Sequence, residues 1–426
     1  MNQINRRSLV KGASAAAVLA GASVALNVFA QGRKPIRVGM IFPITGPLAL
    51  LGETQMAGAQ IAIDIINQEG GVNGRKIEVV KADAPNSQAA IAEANRLIGN
   101  ENVKIVLGTY ASGLASSIVG IAERSNVIHW EVGGVADSLT QRGFKNVFRT
   151  PPPASLQGMM ALEFINEVVA PKSGLNKSTL RLGVVHEDSE FGSTVAKTLA
   201  ERSKVEGIKF TAYSYAKDSN DLTPIILRLR QDAVDVIVSV QYVNDAILFW
   251  KQAKQLNLAL KGHVALGAGH FERSFIDAVG KDANGLFIVP PPVEINPSGL
   301  DATAQKDLAA FNKAFEAQYK KSPSSVTMLG FAGTMILLRD VLPKASDPEN
   351  PDAIRAAALA VDKPIGSTAA GWGVKFRPPG ENGGQNERAF WIVQQWQGDN
   401  LHTVYPIKLA VRQPNQMPLP AWGSRS

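Results

Sequence analysis

From Ile36 onward, short runs of apolar and β-branched residues alternate with longer stretches of helical periodicity. Ile36–Phe42 reads as an apolar strand. Gly52–Gln68 follows as a helix, with Met56, Ala59, Ile63 and Ile66 on one face and Gln60, Asp64 and Asn67 on the other. Gly70 to Gly74 supplies positive-φ positions for a tight turn, and Lys76–Asp83 alternates as the next strand. A helix over Gln88–Leu97 leads to strand Lys104–Leu107, and a helix over Leu114–Arg124 leads to strand Val127–Glu131. Parallel strands need a long crossover, and a helix of this length packs back on the sheet it leaves. The order therefore predicts an α/β fold, a parallel sheet with helices on both faces.

Thr150-Pro151-Pro152-Pro153 breaks the rhythm, because three prolines continue neither a ladder nor a helix. A second series then begins. Strands are expected at Arg181–Val185, Ile208–Tyr215, Val234–Val240, His263–Gly267 and Gly285–Val289, with helices at Gly192–Val205, Leu222–Arg230 and Asp245–Leu256. Pro290-Pro291-Pro292 forms a second connector. Helices follow at Thr303–Tyr319, Val326–Val341 and Ala353–Val361, then a hairpin of Ala389–Trp396 and Leu401–Pro406. Residues 413–426, with three prolines and little periodicity, read as a loosely held tail. Two similar α/β units whose chain crosses between them more than once predict two lobes coupled by a hinge, with a cleft between them.

The N-terminus specifies where such a body works. Asn5-Arg6-Arg7-Ser8-Leu9-Val10-Lys11 runs into an uncharged stretch from Gly12 to Ala30. A basic start, an apolar middle and a small-residue end (Val28, Ala30) read as an export signal, residues 1–30, and the paired arginines resemble a twin-arginine signal. A retained membrane helix is the competing reading, and the weak apolarity of this Ala/Gly/Ser-rich stretch favours cleavage. No second stretch reads as a membrane span. The chain has no cysteine, so neither disulfides nor a lipid-modified Cys is available, and the mature protein is expected to be free outside the cytoplasmic membrane. The net charge of +7 falls when Arg6, Arg7 and Lys11 leave, and the remaining basic residues form no cluster of the kind nucleic acid requires.

Catalytic constellations are missing. The five histidines (His129, His186, His263, His270, His402) are scattered, with no pair at metal-ligand spacing. No nucleophile elbow, phosphate loop or dinucleotide fingerprint occurs, so no cofactor or metal is expected. Ser112, in Gly108-Thr109-Tyr110-Ala111-Ser112-Gly113, falls between a strand and a helix, where a nucleophile sits in some enzymes. Backbone N–H groups at a helix start also hold a carboxylate there without reaction, and with no histidine placed to activate Ser112 the binding role is favoured.

Val38 through Pro47, Gly70-Gly71-Val72-Asn73-Gly74-Arg75-Lys76-Ile77, Gly108 through Ser112, and Leu139-Thr140 with Arg142-Gly143-Phe144 together resemble the leucine/isoleucine/valine-binding proteins, soluble receptors of ABC importers with the type I periplasmic-binding fold. The likeness spans Ile36–Pro406. It implies two Rossmann-like lobes joined by a hinge of three crossovers, lobe one at about 32–150 plus 291–382 and lobe two at about 151–290 plus 383–412, a periplasmic location, a small-molecule ligand, a membrane permease as partner and a monomeric receptor. It places the carboxylate-holding serine at Ser112, beside Tyr110 and Ala111, and the next ligand loop at Gly133, Gly134 and Val135, with free backbone donors. The aromatic residues of lobe two fall on Tyr242 and Phe191. A first-loop aromatic position is Leu51 here, and the acid that pairs a ligand ammonium falls near Gly269, which has no side chain. A buried ammonium without a carboxylate is strongly disfavoured. Glu131, Glu187 or Asp188 is then expected to supply the charge, or the ligand has no ammonium; His270 is a further candidate to line the cleft, and Trp130 reads as core. Three functions follow in decreasing order: an uptake receptor for an amino acid or related carboxylate, with an aromatic or aliphatic acid or an amide as the alternative ligand; a sensory module of the same fold; and a secreted hydrolase using Ser112.

Overall fold

A strand flanked on both sides and covered on both faces needs side chains that tolerate burial throughout, and β1 (Ile36–Phe42) buries every residue except half-buried Arg37. In the computed structural model, which describes residues 33–294 and 296–425, β1 lies between β2 (Ile77–Asp83) and β3 (Ile105–Gly108). Strands β4 (Ile128–Glu131) and β5 (Val147–Arg149) complete the order β2-β1-β3-β4-β5, with every pairing parallel. Helices α1 (Ala49–Gln68), α2 (Ser87–Asn95) and α3 (Ser112–Arg124) form crossovers. The export segment, residues 1–30, lies outside the described residues.

After Pro153 the chain enters α4 (Ala154–Phe164) and a second unit: β6 (Arg181–Glu187), α5 (Glu190–Glu206), β7 (Lys209–Tyr215), α6 (Thr223–Gln231), β8 (Val236–Val240), α7 (Val243–Gln255), β9 (Gly262–Leu266), α8 (Arg273–Val279) and β10 (Phe287–Ile288). Local chemistry sets these boundaries. The Ser189 hydroxyl accepts from Gly192 N–H to cap α5, and Gly207 at φ 71° ends it in the left-handed region. Helices α9 (Ala302–Tyr319), α10 (Ser325–Met335) and α11 (Pro351–Leu359) then lead to the short pair β11 (Asp362–Lys363) and β12 (Val374–Lys375). Finally the hairpin β13 (Val393–Gln397) and β14 (Asn400–Tyr405) joins the second sheet antiparallel at β10, giving the order β14-β13-β10-β9-β8-β6-β7.

Helices α9–α11 pack with the first sheet in one core that includes Trp130, Phe148, Phe311, Phe331 and Trp372. Contact between α1 and α10 depends on two glycines. A Cβ on Gly58 would lie 2.0 Å from Thr327 O, and one on Gly330 would lie 2.0 Å from Gln55 O. Contrary to the expectation of no second membrane-like stretch, Ser325–Lys344 is long and apolar enough to span a bilayer; 89% of its apolar window is buried inside the fold, which makes it a core helix.

Segments of the first and last passages between the units are stitched together. Arg149, 1% exposed, donates from Nε to Gln385 Oε1, and Gln385 Nε2 donates to Pro151 O at 2.9 Å. Asn386 N–H donates to Arg149 O at 2.9 Å. The tail is not loose. Leu419 N–H donates to Lys261 O at 2.8 Å, Trp422 Nε1 donates to Leu258 O at 2.9 Å, and the Arg425 guanidinium lies 3.7 Å over the Trp422 ring while donating to Asp282 O. Aromatic and cationic side chains do the anchoring that hydrophobic periodicity does elsewhere, so a search for periodicity overlooks it. Helices α4 and α8 were also unexpected: α4 has apolar residues all round rather than a stripe, and α8 is seven residues long.

Candidate functional site

Strand β3 ends at Gly108, whose φ of 154° and close approach (a Cβ would sit 2.1 Å from Ile41 O) exclude a side chain. The chain then turns into α3, where Ala111 is the N-cap and contributes no capping oxygen. The first amides of α3 therefore lack both an intrahelical acceptor and a side-chain cap. Ser112 stands at the first helical position with its hydroxyl fully oriented. Its Oγ accepts from Val135 N–H at 3.1 Å and Ala136 N–H at 3.0 Å. Two acceptor bonds use both lone pairs, leaving the O–H proton to donate elsewhere. This oxygen is a poor nucleophile and a well-aimed donor.

The loop after β4 is organised by Glu131, 0% exposed. Its Oε1 accepts from the backbone N–H groups of Thr109 (2.8 Å), Gly133 (2.8 Å) and Gly134 (2.6 Å). Its Oε2 accepts from His129 Nε2 at 2.9 Å and from the Thr109 hydroxyl at 3.3 Å. One buried carboxylate thus ties the β3 loop to the β4 loop.

Between the two units these loops meet Tyr242, at the turn from β8 into α7, and Phe191, at the start of α5. The rings of Tyr110 and Tyr242 stand 6.0 Å apart across the cleft at 57°. They border a cavity with an empty volume of about 450 Å³, part of it open to solvent. Its polar side chains are Ser112, Tyr110, Tyr242 and Gln157; Phe191, Phe271, Val326, Leu329 and Trp391 dominate the rest. No Asp, Glu, Lys, Arg or His lines it. Burial holds both phenols well above the ordinary tyrosine range, so they remain protonated donors.

The cleft is closed by two acid-to-hydroxyl latches. Glu190 of α5 accepts from the Ser116 hydroxyl of α3 at 2.6 Å and from the Ser138 hydroxyl. Glu272 accepts from the hydroxyl of Ser324, the N-cap of α10, at 2.9 Å. Each latch acid is the chain neighbour of a lining phenylalanine, Phe191 and Phe271 respectively.

The model of the family described as periplasmic binding protein matches residues 35–400. The chain belongs to the periplasmic binding protein family. It is 34% identical over 400 residues to Leu/Ile/Val-binding protein homolog 7 of Brucella suis, covering 93% of this chain and 96% of the relative. Two solved structures share the fold at 20% identity. A branched-chain amino acid transporter substrate-binding protein, LivJ, of Streptococcus pneumoniae, in complex with isoleucine, aligns with a TM-score of 0.71 over 86% of this chain and 97% of its own. An ABC transporter solute-binding protein of R. palustris, in complex with benzoate, aligns with a TM-score of 0.72 over 87% and 95%. The architecture is thus the type I periplasmic binding protein fold, and the family is one of solute-binding proteins rather than enzymes.

In this periplasmic binding protein, Ser112, Tyr110, Gly133, Val135, Tyr242 and Phe191 come together at the cavity. The other expected residues are placed elsewhere. The amides of Gly133 and Gly134 are committed to Glu131 and that of Val135 to Ser112, so the loop offers no free backbone donor at these positions. Glu131, expected as a counter-ion for an ammonium, is instead the hub of that loop. Ala111 and Leu51 pack in the apolar cluster that includes Tyr110 and Leu114. Gly269 lies against the Tyr242 backbone, where a Cβ would be 2.3 Å from Tyr242 O, so no acid fits at that position. Asp188 is exposed and accepts from Lys217 N–H. His270 is 0% exposed among Trp250, His263 and Phe275, away from the lining, and burial pushes its imidazole down to about 3. Trp130 is core, stacked on Phe148, with Nε1 donating to Gly333 O.

Glu187 does not line the cavity, although its charge is felt by the phenols of Tyr242 and Tyr110. It is 2% exposed, its Oε1 has no hydrogen-bond partner, and burial raises it to about 7, with Asp245 and Asp188 reinforcing the shift. The folded protein therefore holds this proton where the unfolded chain has lost it. The group's contribution to stability is greatest below pH 4.5 and declines through pH 7. Glu187→Gln is expected to leave stability unchanged near pH 4 and to raise it by about 3 kcal/mol at pH 8. Urea unfolding at the two pH values checks this; an equal effect at both would mean that Glu187 does not carry the shift.

Gln157 was missed altogether. It stands on α4, a segment whose helix was not anticipated, and a lone glutamine among Ala154, Gly158, Ala161 and Leu162 was the available signal.

Proposed function

We propose that this protein is the extracytoplasmic receptor of an ABC importer, binding a small carboxylate-bearing ligand in the interlobe cavity and presenting the closed form to a membrane permease. The observation that carries the reading is the Ser112 hydroxyl: with both lone pairs filled by Val135 and Ala136 amides, its proton is directed outward beside the uncapped start of α3. A carboxylate satisfies that donor, the first helix amides and the phenols together. The chain's N-terminal segment fits export to the periplasm, and a monomeric receptor suffices for this role.

Closure follows from contacts that the ligand makes to both lobes, added to the latches that the protein already has. An amino acid is the ligand class that the Brucella relative's name favours. The uncharged lining favours an aromatic or aliphatic acid, or an amide, because a zwitterion would leave its ammonium without an adjacent carboxylate on the cavity wall.

A thermal-shift screen over amino acids, aromatic and aliphatic acids, dicarboxylates and amides tests the reading. A true ligand at about a hundred times its Kd stabilises by about 2.7 kcal/mol. Failure of every carboxylate to shift the protein would exclude it. The latches give a second test. Glu190→Ala and Glu272→Ala are each expected to weaken ligand affinity about tenfold through faster dissociation, without touching the lining. Unchanged dissociation rates in both variants would show that these contacts do not hold the closed state.

A further inference from the structure

Gln157 is 2% exposed and lines the same cavity as Ser112. Its side-chain amide has a fixed orientation. Nε2 donates to Val289 O at 2.6 Å, a carbonyl between β10 and the second Pro-rich connector, so that end must be the nitrogen. The other end, Oε1, has no hydrogen-bond partner. A buried carbonyl oxygen without a donor is unfavourable, and on a residue that lines a ligand cavity the ligand is a group that can supply what is missing. The flipped amide is no remedy, because it would set Oε1 against Val289 O. Gln157 can therefore only accept.

We infer that Gln157 reads a neutral hydrogen-bond donor on the ligand, so that the cavity selects a carboxylic acid bearing a hydroxyl or amide N–H over both the unsubstituted acid and the ammonium-bearing amino acid. This inference rests on the proposed carboxylate site at Ser112 and adds a second polar point to it. Ser112, Tyr110 and Tyr242 donate; Gln157 is the acceptor on a wall otherwise made of groups such as Trp391 and Leu329. A hydroxyl matches a neutral acceptor without requiring a counter-ion. An ammonium would keep its full charge in a cavity whose lining carries none. The parent acid would leave Oε1 unpaired, and a site built to pair a substrate group rejects the analogue that lacks it.

The test is calorimetric titration with two matched sets: benzoate with its meta- and para-hydroxy derivatives, and leucine with its hydroxy-acid analogue and the corresponding unsubstituted acid. In the wild type at least one hydroxylated acid is expected to bind about tenfold more tightly than its parent and more tightly than leucine. Gln157→Met, which keeps length and removes the acceptor, is expected to bring the hydroxylated acid and its parent within about twofold of each other. The parent acid's affinity should be little changed, which also shows that the variant is folded. Equal binding of parent and hydroxylated acids by the wild type, preference for leucine, or retention of the preference in Gln157→Met would each overturn the inference while leaving the carboxylate site standing, provided Ser112→Ala weakens the acids that bind. If no acid binds, or Ser112→Ala weakens none, the carboxylate site itself is refuted and the role of Gln157 with it.

Discussion

Ser112→Ala is expected to weaken ligand binding about 100-fold and to lower stability by about 2–4 kcal/mol. Both effects have the same origin. The hydroxyl proton is the donor aimed at the ligand, and a donor to a carboxylate is worth more than one to a neutral group. The oxygen meanwhile accepts from two buried amides, Val135 at 3.1 Å and Ala136 at 3.0 Å, which alanine leaves unpaired. Isothermal titration and urea unfolding separate the two effects, and Ser112→Thr, which restores the hydroxyl, should recover most of the stability. A normal affinity in Ser112→Ala would move the carboxylate site away from α3. A loss of affinity with full stability would mean that the two amides find other partners.

Glu131→Ala is expected to be the most destabilising single change among the residues discussed, costing about 4 kcal/mol or more. Its carboxylate accepts from three backbone N–H groups, a hydroxyl and an imidazole, all buried. Glu131→Gln should cost about half as much. Its oxygen can still face the three amides, while its NH₂ faces Thr109, whose hydroxyl can turn to accept, and His129, which can change tautomer. Ligand binding should fall in parallel with stability, because the β4 loop positions Ser112. The contrasting outcome, weaker binding at unchanged stability, is what a ligand counter-ion would give and would restore Glu131 to the cleft.

The misreading of Glu131 shows where sequence reasoning stops. An acid at the C-terminal end of a parallel strand is where ligands bind in α/β folds, so position alone pointed to the cleft. What decides its role is that the loop folds back over it and delivers Gly133 and Gly134 amides to one oxygen, a matter of backbone path and not of residue type. The same folding consumed the backbone donors expected of that loop. Gln157 was overlooked for the converse reason. Its helix shows no apolar stripe in sequence because its outer face also carries apolar residues, Leu156 and Met159, so the buried face does not stand out by periodicity.

The sequence by itself determined the fold class, the alternation and order of most strands and helices, the two Pro-rich passages between units and the strand-to-helix turn at Ser112. Each of these follows from local periodicity, proline geometry and glycine's freedom of φ, which need no knowledge of distant neighbours. Tertiary structure alone decided which polar groups remained free. Pairing in a buried site is exclusive: once Glu131 holds Thr109, Gly133 and Gly134, and Ser112 holds Val135 and Ala136, those partners are spent. The donor proton of Ser112, the first amides of α3, the two phenols and the unpaired oxygen of Gln157 are what remain at the cavity, which is closed by latches between residues as far apart in the chain as Ser116 and Glu190.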